Sequence, residues 1–346
     1  MAKEQRTQRD GEQAGTRRGW SRVGGFIAAV ALLVVAVTGS GAGAQAPRQT
    51  ATATALGSGF EHRFVHVDGE FIHYVIGGSG PPLVLLHGWP QTWWTWHDVM
   101  PDLAQDHTVI AFDLPGLGRS SQPEDGFDKA TTAARLHEAV QRLGYSKVDL
   151  LTHDVGALTA YPYAKQFPES VGRMLVLDTP LNGFGLESFF NISFHFLLNL
   201  APRPVPEEII DNDGDVRVYL GLIFDGTPNP ETISRNVYFL AYADRDVRSA
   251  GYEYYRAFTQ DAAYNQANAE PKITTPVLAM GGQFAFGPAV AASFENVAAD
   301  VRPVVAPGAG HFIPEETPQF LIDCTRLFLG PVGVPAPTPE LAGCEA

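Results

Sequence analysis

Short apolar runs alternate with stretches of helical length along most of this chain, stop for about ninety residues, and then resume. Phe60–Val67 and Glu70–Ile76 read as strands joined by Asp68-Gly69, a hairpin turn pair. Strands follow at Pro82–Leu86, Thr108–Phe112, Val148–Leu151 and Val171–Asp178. Helices are expected at Thr92–Leu103, 129–143 and Ala157–Phe167. A second series runs through a strand at Pro276–Gly281, a helix near Pro288–Val297, a strand at Val301–Val305 and a helix from about Glu315 to Phe328. This alternation predicts an α/β fold with a mostly parallel central sheet flanked by helices. Between Pro180 and Lys272 it gives way to an aromatic-rich segment, Phe184–Leu200, Pro-rich residues 202–206, and helix-like runs at 215–224, 230–247 and 251–267. That region reads as a helical cap inserted after the sixth strand. The core then comprises 47–179 and 273–330, and residues 331–346 form a Pro-rich, irregular tail.

The first 46 residues have a different pattern. Arg17, Arg18 and Arg22 precede the apolar stretch Phe26–Val37, and Ala44-Gln45-Ala46 offers small residues for cleavage. We read 1–46 as an export signal cleaved after Ala46, with Arg17-Arg18 pointing to the twin-arginine route. The alternative is a retained anchor, although the apolar stretch falls short of the ~20 residues a spanning helix needs. The chain has 24 Lys and Arg against 38 Asp and Glu, a net charge of −14, which argues against nucleic acid and anionic membranes as partners. Its two cysteines, Cys324 and Cys344, are too few for a disulfide-built scaffold. In an exported protein they are expected to pair and tie the tail to the last helix. There is no internal repeat and no metal-type Cys/His cluster, so neither metal nor cofactor is expected; a homodimer is compatible with the sequence.

The candidate chemistry centres on Leu150-Leu151-Thr152-His153-Asp154-Val155-Gly156-Ala157. A buried strand ends here at a carboxylate flanked by small residues, and a helix begins. In a nucleophile elbow of this kind the tight turn lifts the nucleophile above the sheet, and Thr152 and Gly156 occupy the positions that must be small. The bland alternative is an Asp that caps the helix. His87-Gly88-Trp89-Pro90 also follows a strand, at the edge where parallel sheets bind ligands. Backbone N–H groups of Trp89 and Val155 could form an oxyanion site, or His87 and Trp89 could merely pack around a Gly turn.

The loop Asp113–Ser120 reads as structural, since no dinucleotide or Walker pattern accompanies its glycines. His311, in Pro307-Gly308-Ala309-Gly310-His311, is the candidate general base. Of the other histidines, His62, His66 and His73 fall on early strands, His97, His107 and His137 on surface helices or turns, and His153 beside the elbow. The loop Gly281–Pro288 contains no carboxylate to orient His311, and Glu295 comes too late. Asp178 ends the strand beside the elbow strand and can serve instead, unless it simply turns the chain into the cap.

With these residues in place the chain resembles the α/β-hydrolase family, specifically the epoxide hydrolases and dehalogenases that use an aspartate nucleophile. The resemblance implies attack by Asp154, an alkyl ester, and hydrolysis by water that His311 activates. It also implies cap donors for the departing oxygen. Tyr252-Glu253-Tyr254-Tyr255-Arg256 resembles the ring-opening tyrosine segment, with Tyr255 at the matching position. Ser193-Phe194-His195-Phe196 resembles a subgroup of bacterial exported epoxide hydrolases that use a His/Tyr pair, which gives His195 as the second donor; the alternative is a core histidine.

The implied substrate is a small apolar epoxide, in keeping with Phe184, Phe189, Phe190, Phe194, Phe196 and Phe239 in the cap. Dehalogenation by the same ester is the rival reading. Haloalkane dehalogenases typically place a Trp after the nucleophile and haloacetate dehalogenases an Arg, whereas this chain has Val155. A ligand-binding protein without turnover is a third reading.

Overall fold

The computed structural model describes residues 59–191 and 193–346; the export signal read in residues 1–46 lies outside them. The chain forms strands β1 (Phe60–Val67), β2 (Glu70–Gly78), β3 (Pro82–Leu86) and β4 (Thr108–Phe112), with helix α1 (Met100–Leu103) between β3 and β4. Helix α2 (Lys129–Arg142), strand β5 (Val148–His153), helix α3 (Val155–Gln166) and strand β6 (Val171–Leu177) follow. Next come α4 (Phe194–Asn199), α5 (Val205–Ile209), α6 (Asp213–Phe224), α7 (Arg235–Tyr242), α8 (Arg245–Arg256) and α9 (Phe258–Ala267). The chain then completes the sheet with β7 (Val277–Gly282), α10 (Ala289–Phe294) and β8 (Val301–Ala306), and ends in α11 (Ile313–Glu316) and α12 (Pro318–Leu329).

The eight strands make one sheet in the order β1-β2-β4-β3-β5-β6-β7-β8. The β1/β2 and β2/β4 pairs are antiparallel and all other pairs are parallel. Hydrophobic patterning follows position in the sheet. Interior β3 is apolar almost throughout and buried on both faces, as a parallel strand covered by helices must be, whereas edge strand β1 alternates between exposed and covered positions. Because β3, β5, β6, β7 and β8 are mutually parallel, the loops after them open at one edge of the sheet, and each candidate catalytic residue of the core lies on or just beyond one of those strand ends.

Three helical expectations require correction, each for a local reason. The segment Thr92–Leu103 is a short 3-10 turn, Trp93–Trp96, followed by a new helix, α1, with Pro101 in its first turn, where a missing N–H is tolerated. The run 230–247 divides because Asp244 accepts from the Asp246 N–H and starts α8. The last helix splits at Thr317, and Pro318 opens α12. His107 is buried rather than on the surface.

Two ties hold the outer parts. Lys129, fully buried at the start of α2, donates to Asp261 Oδ2 of α9 at 2.8 Å and to the Tyr254 carbonyl of α8, which anchors the helical insertion to the core. Cys324 of α12 is disulfide-bonded to Cys344, closing a loop with a sequence separation of 20. Closing a loop of that size is worth about 3 kcal/mol through the unfolded chain.

Candidate active site

Asp154 stands between β5 and α3 with φ at 51°, a left-handed conformation that non-glycine residues rarely adopt. The turn is feasible because its neighbours lack side chains. A Cβ at Gly156 would lie 2.3 Å from the Leu86 carbonyl oxygen, and one at Gly88 would lie 2.3 Å from the Asp154 Cβ. The Trp89 N–H donates to Asp154 Oδ1 at 2.8 Å. Val155 is the first residue of α3, and the first N–H groups of a helix have no partner within it. One carboxylate oxygen is thus held by a backbone donor while the other stays available. The Asp154 side chain makes no capping bond to its helix, so the helix-cap alternative is not what its carboxylate does.

The available oxygen, Oδ2, lies 3.6 Å from His311 Nε2. On the far side of the ring, His311 Nδ1 donates to Asp178 Oδ2 at 2.7 Å. Asp178 is fully buried, sits just after β6, and also has a positive φ, 45°. Its Oδ1 accepts from the N–H groups of Gly282 at 2.8 Å and Phe286 at 3.1 Å. The end of β7 and the loop after it, which contain no carboxylate of their own, therefore supply two donors to the one provided by the neighbouring strand. Burial pulls the His311 ring toward neutrality, yet Asp178, Asp154 and Glu316 outweigh it and hold His311 above the ordinary histidine value. Burial likewise pushes the Asp178 carboxyl up, against the opposing hydrogen bond from His311.

The His311 loop is pinned by residues with no chemical signature in the sequence. Glu316 accepts from the Phe312 N–H at 2.8 Å and the Gly310 N–H at 2.9 Å, bracketing the histidine. His153 Nε2 donates to the His311 carbonyl at 2.8 Å. Burial, reinforced by nearby His311, lowers His153 to about 3, so that ring is a neutral donor. Glu315 accepts from Gln91 Nε2 and the Tyr238 hydroxyl, both at 2.8 Å, and from the Ser234 N–H at 2.9 Å. It joins the loop after β3, the loop after β8 and the cap, and burial raises it to about 7. Two adjacent acids at a helix start read most simply as complements to the helix dipole, so sequence reasoning missed both.

From the cap, His195 of α4 stacks on the Trp89 ring at 5.7 Å and 20°, and Tyr255 of α8 meets Trp89 edge-on at 5.3 Å. Their own rings lie 5.9 Å apart at 90°. Burial lowers His195 to about 3 and raises the Tyr255 hydroxyl well above its ordinary value, the latter reinforced by Asp154. Both are neutral hydrogen-bond donors at any working pH. His87 shapes the loop from beneath. Its Nδ1 donates to the Gly88 carbonyl at 2.8 Å, and its Nε2 accepts from the Leu114 N–H at 3.0 Å. The site so assembled has a fixed carboxylate, an imidazole oriented by a second carboxylate, backbone N–H groups, and an uncharged imidazole and phenol from the cap. That arrangement suits displacement at carbon followed by ester hydrolysis.

Comparison with known proteins agrees with the geometry. The α/β-hydrolase fold family matches over residues 81–318. The soluble epoxide hydrolase of Corynebacterium sp. (strain C12) is 36% identical over 283 residues, covering 78% of this chain and 98% of that protein. The fluoroacetate dehalogenase of Burkholderia sp. is 38% identical over 176 residues, covering 48% of this chain and 58% of that protein. Among solved structures, wild-type Cfl2 from Burkholderia cenocepacia superposes with a TM-score of 0.75 at 35% identity, covering 82% of this chain and 100% of that one.

Proposed function

The chain belongs to the α/β-hydrolase family, and from that premise we propose that it is an epoxide hydrolase, opening a small apolar epoxide to a vicinal diol through an ester on Asp154. Asp154 Oδ2 attacks the less hindered ring carbon. The C–O bond breaks, its electron pair passes to the ring oxygen, and that oxygen takes the phenol proton of Tyr255 while His195 donates a hydrogen bond to it. His311 Nε2 then removes a proton from water, which adds to the ester carbonyl. Negative charge on the carbonyl oxygen is held by the N–H groups of Trp89 and Val155. The intermediate collapses, the diol oxygen leaves with the proton from His311, and the carboxyl proton left on Asp154 returns to the Tyr255 phenolate, so that Asp154 is a carboxylate again.

The observation that carries this reading is the double hold on Asp154, with Oδ1 on the Trp89 N–H at 2.8 Å and Oδ2 facing His311 at 3.6 Å. The base is therefore ready for the second step without neutralising the nucleophile needed in the first. An apolar substrate is supported by the aromatic surroundings: Phe196 lies 5.8 Å from Tyr255, and Phe286 lies 6.3 Å from His311.

A dehalogenase reading is favoured by the partial similarity to the fluoroacetate enzyme. Against it, Val155 follows the nucleophile and offers no cation for a carboxylate substrate. Incubating the protein with a panel of styrene-type and aliphatic epoxides, and with fluoroacetate, decides between them. Diol without halide release is expected; halide without diol would favour the rival, and binding without either product would favour a receptor. Export belongs to the same proposal, supported by the composition of residues 1–46 and by the Cys324–Cys344 disulfide. Pairing of two copies is supported by exposed Val218 and Leu222 on the cap.

A further inference from the structure

Ser193 sits at the start of α4, where a serine ordinarily spends its hydroxyl on a backbone N–H of the first turn. Here it makes no such bond. Asn212 and Asp244, at the starts of α6 and α8, both use their side chains in the ordinary way. The Ser193 hydroxyl instead lies 2.6 Å from His195 Nδ1. The imidazole is clamped around that contact, stacked on Trp89 with Phe196 at 4.2 Å and Tyr255 edge-on.

A neutral imidazole has one N–H and one acceptor nitrogen, and its partners decide which is which. Among the described residues, the Ser193 hydroxyl proton has no acceptor other than Nδ1, whereas a donor Nδ1 would leave that proton without a protein partner. We propose that Ser193 is a positioning residue: its O–H donates to His195 Nδ1, which places the imidazole proton on Nε2 and makes His195 a hydrogen-bond donor to the opening epoxide oxygen. This rests on the epoxide hydrolase reading for its catalytic consequence, but not for the tautomer itself. Without the serine, the ring is free to carry its proton on Nδ1 and present a lone pair to an oxygen that is gaining negative charge. The burial that keeps His195 uncharged makes the choice of tautomer decisive, because the imidazolium, which would donate from both nitrogens, is not populated near neutral pH.

The test uses the whole protein with 15N-labelled histidine, read first without substrate. The expected spectrum has an N–H at His195 Nε2 and an acceptor-type Nδ1. Ser193→Ala should move population to the Nδ1–H form and slow formation of the Asp154 ester on the order of tenfold, about what one lost hydrogen bond costs. Hydrolysis of the ester should stay within twofold of wild type. Ser193→Thr, which keeps the hydroxyl, should restore both the spectrum and the rate.

An Nδ1–H form in the wild type would overturn the proposal. So would a Ser193→Ala protein that keeps the Nε2–H spectrum, or one that slows ester formation and hydrolysis equally, as a merely structural role would. A wild-type protein that turns over no epoxide would remove the functional reading, while the substrate-free spectrum would still decide the tautomer.

Discussion

Two imidazole–carboxylate contacts of 2.7 Å occur among the described residues, and only one is placed to do chemistry. His311 Nδ1 contacts Asp178 Oδ2 at 2.7 Å, and His73 Nδ1 contacts Asp113 Oδ2 at the same 2.7 Å. Each aspartate is fully buried and accepts two further backbone N–H groups, from Gly282 and Phe286 in one case and from Trp93 and Arg119 in the other. The difference lies beyond the ring. His311 presents Nε2 to Asp154, and its side chain is 24% exposed. His73 is wholly enclosed, and its Nε2 meets His62 Nδ1 at 2.8 Å. The surroundings also push the acids in opposite directions. Burial raises Asp178, whereas at Asp113 burial is outweighed by His73, His87 and the Trp93 N–H, which hold it below its usual range. A short His–Asp contact is thus a way of fixing a ring. What the other nitrogen faces decides whether that ring is a base or a brace.

The sharpest way to break the comparison is to substitute both aspartates. Asp178→Asn should slow ester hydrolysis by roughly ten-thousandfold, as loss of the orienting acid does in a Ser-His-Asp relay, while ester formation changes little. Single-turnover quenching separates the two steps, and equal slowing of both would place Asp178 outside the relay. Asp113→Asn should leave both steps within about twofold and instead cost about 3 kcal/mol of stability, the penalty for taking the carboxylate out of a buried hydrogen-bonded cluster. Denaturant unfolding measures that cost; a large kinetic defect with unchanged stability would mean the second pair is not a brace.

The smallest effect is in pH. The His311 base must be neutral to accept a proton, and its folded value lies above the ordinary 6.5. In the preformed ester Asp154 no longer carries its charge, so Asp178 and Glu316 alone oppose burial there, and the hydrolysis rate should fall with acid, about tenfold per unit below the His311 midpoint. Removing the Asp178 charge should move that midpoint down. A rate that does not change from pH 4 to 9 would exclude His311 as the base.

The elements around Asp154 are legible in the sequence because both interior strands and the elbow leave strong local marks: the apolar run of β5, the carboxylate, and Gly156, whose Cβ would strike the Leu86 carbonyl. Asp178 is legible by topology, since the loop after β7 has no carboxylate and the end of β6 does. What the sequence does not reveal is how the loops are pinned. Glu316, Glu315, Gln91 and His153 act through hydrogen bonds to nearby backbone or to partners 77 to 224 residues away, and nothing in their local pattern distinguishes a buried acid from a solvated one. The pair Asp113–His73 is hidden for the same reason: its partners are 40 residues apart and meet through strand pairing. The segment at Thr92–Leu103 has helical composition, but the Trp93 N–H goes to Asp113 Oδ1 and Pro101 restarts the helix.

The central claim is that Asp154 becomes covalently attached to substrate and that water attacks the ester, not the epoxide. Single turnover in 18O-labelled water tests it most directly, with excess enzyme over epoxide and mass analysis of the peptide containing Asp154. The account predicts one 18O atom in the Asp154 carboxylate and an unlabelled first-turnover diol, with an ester adduct of the epoxide's mass persisting in His311→Gln. Label in the diol and none in the Asp154 peptide, with no adduct in the His311 variant, would contradict it.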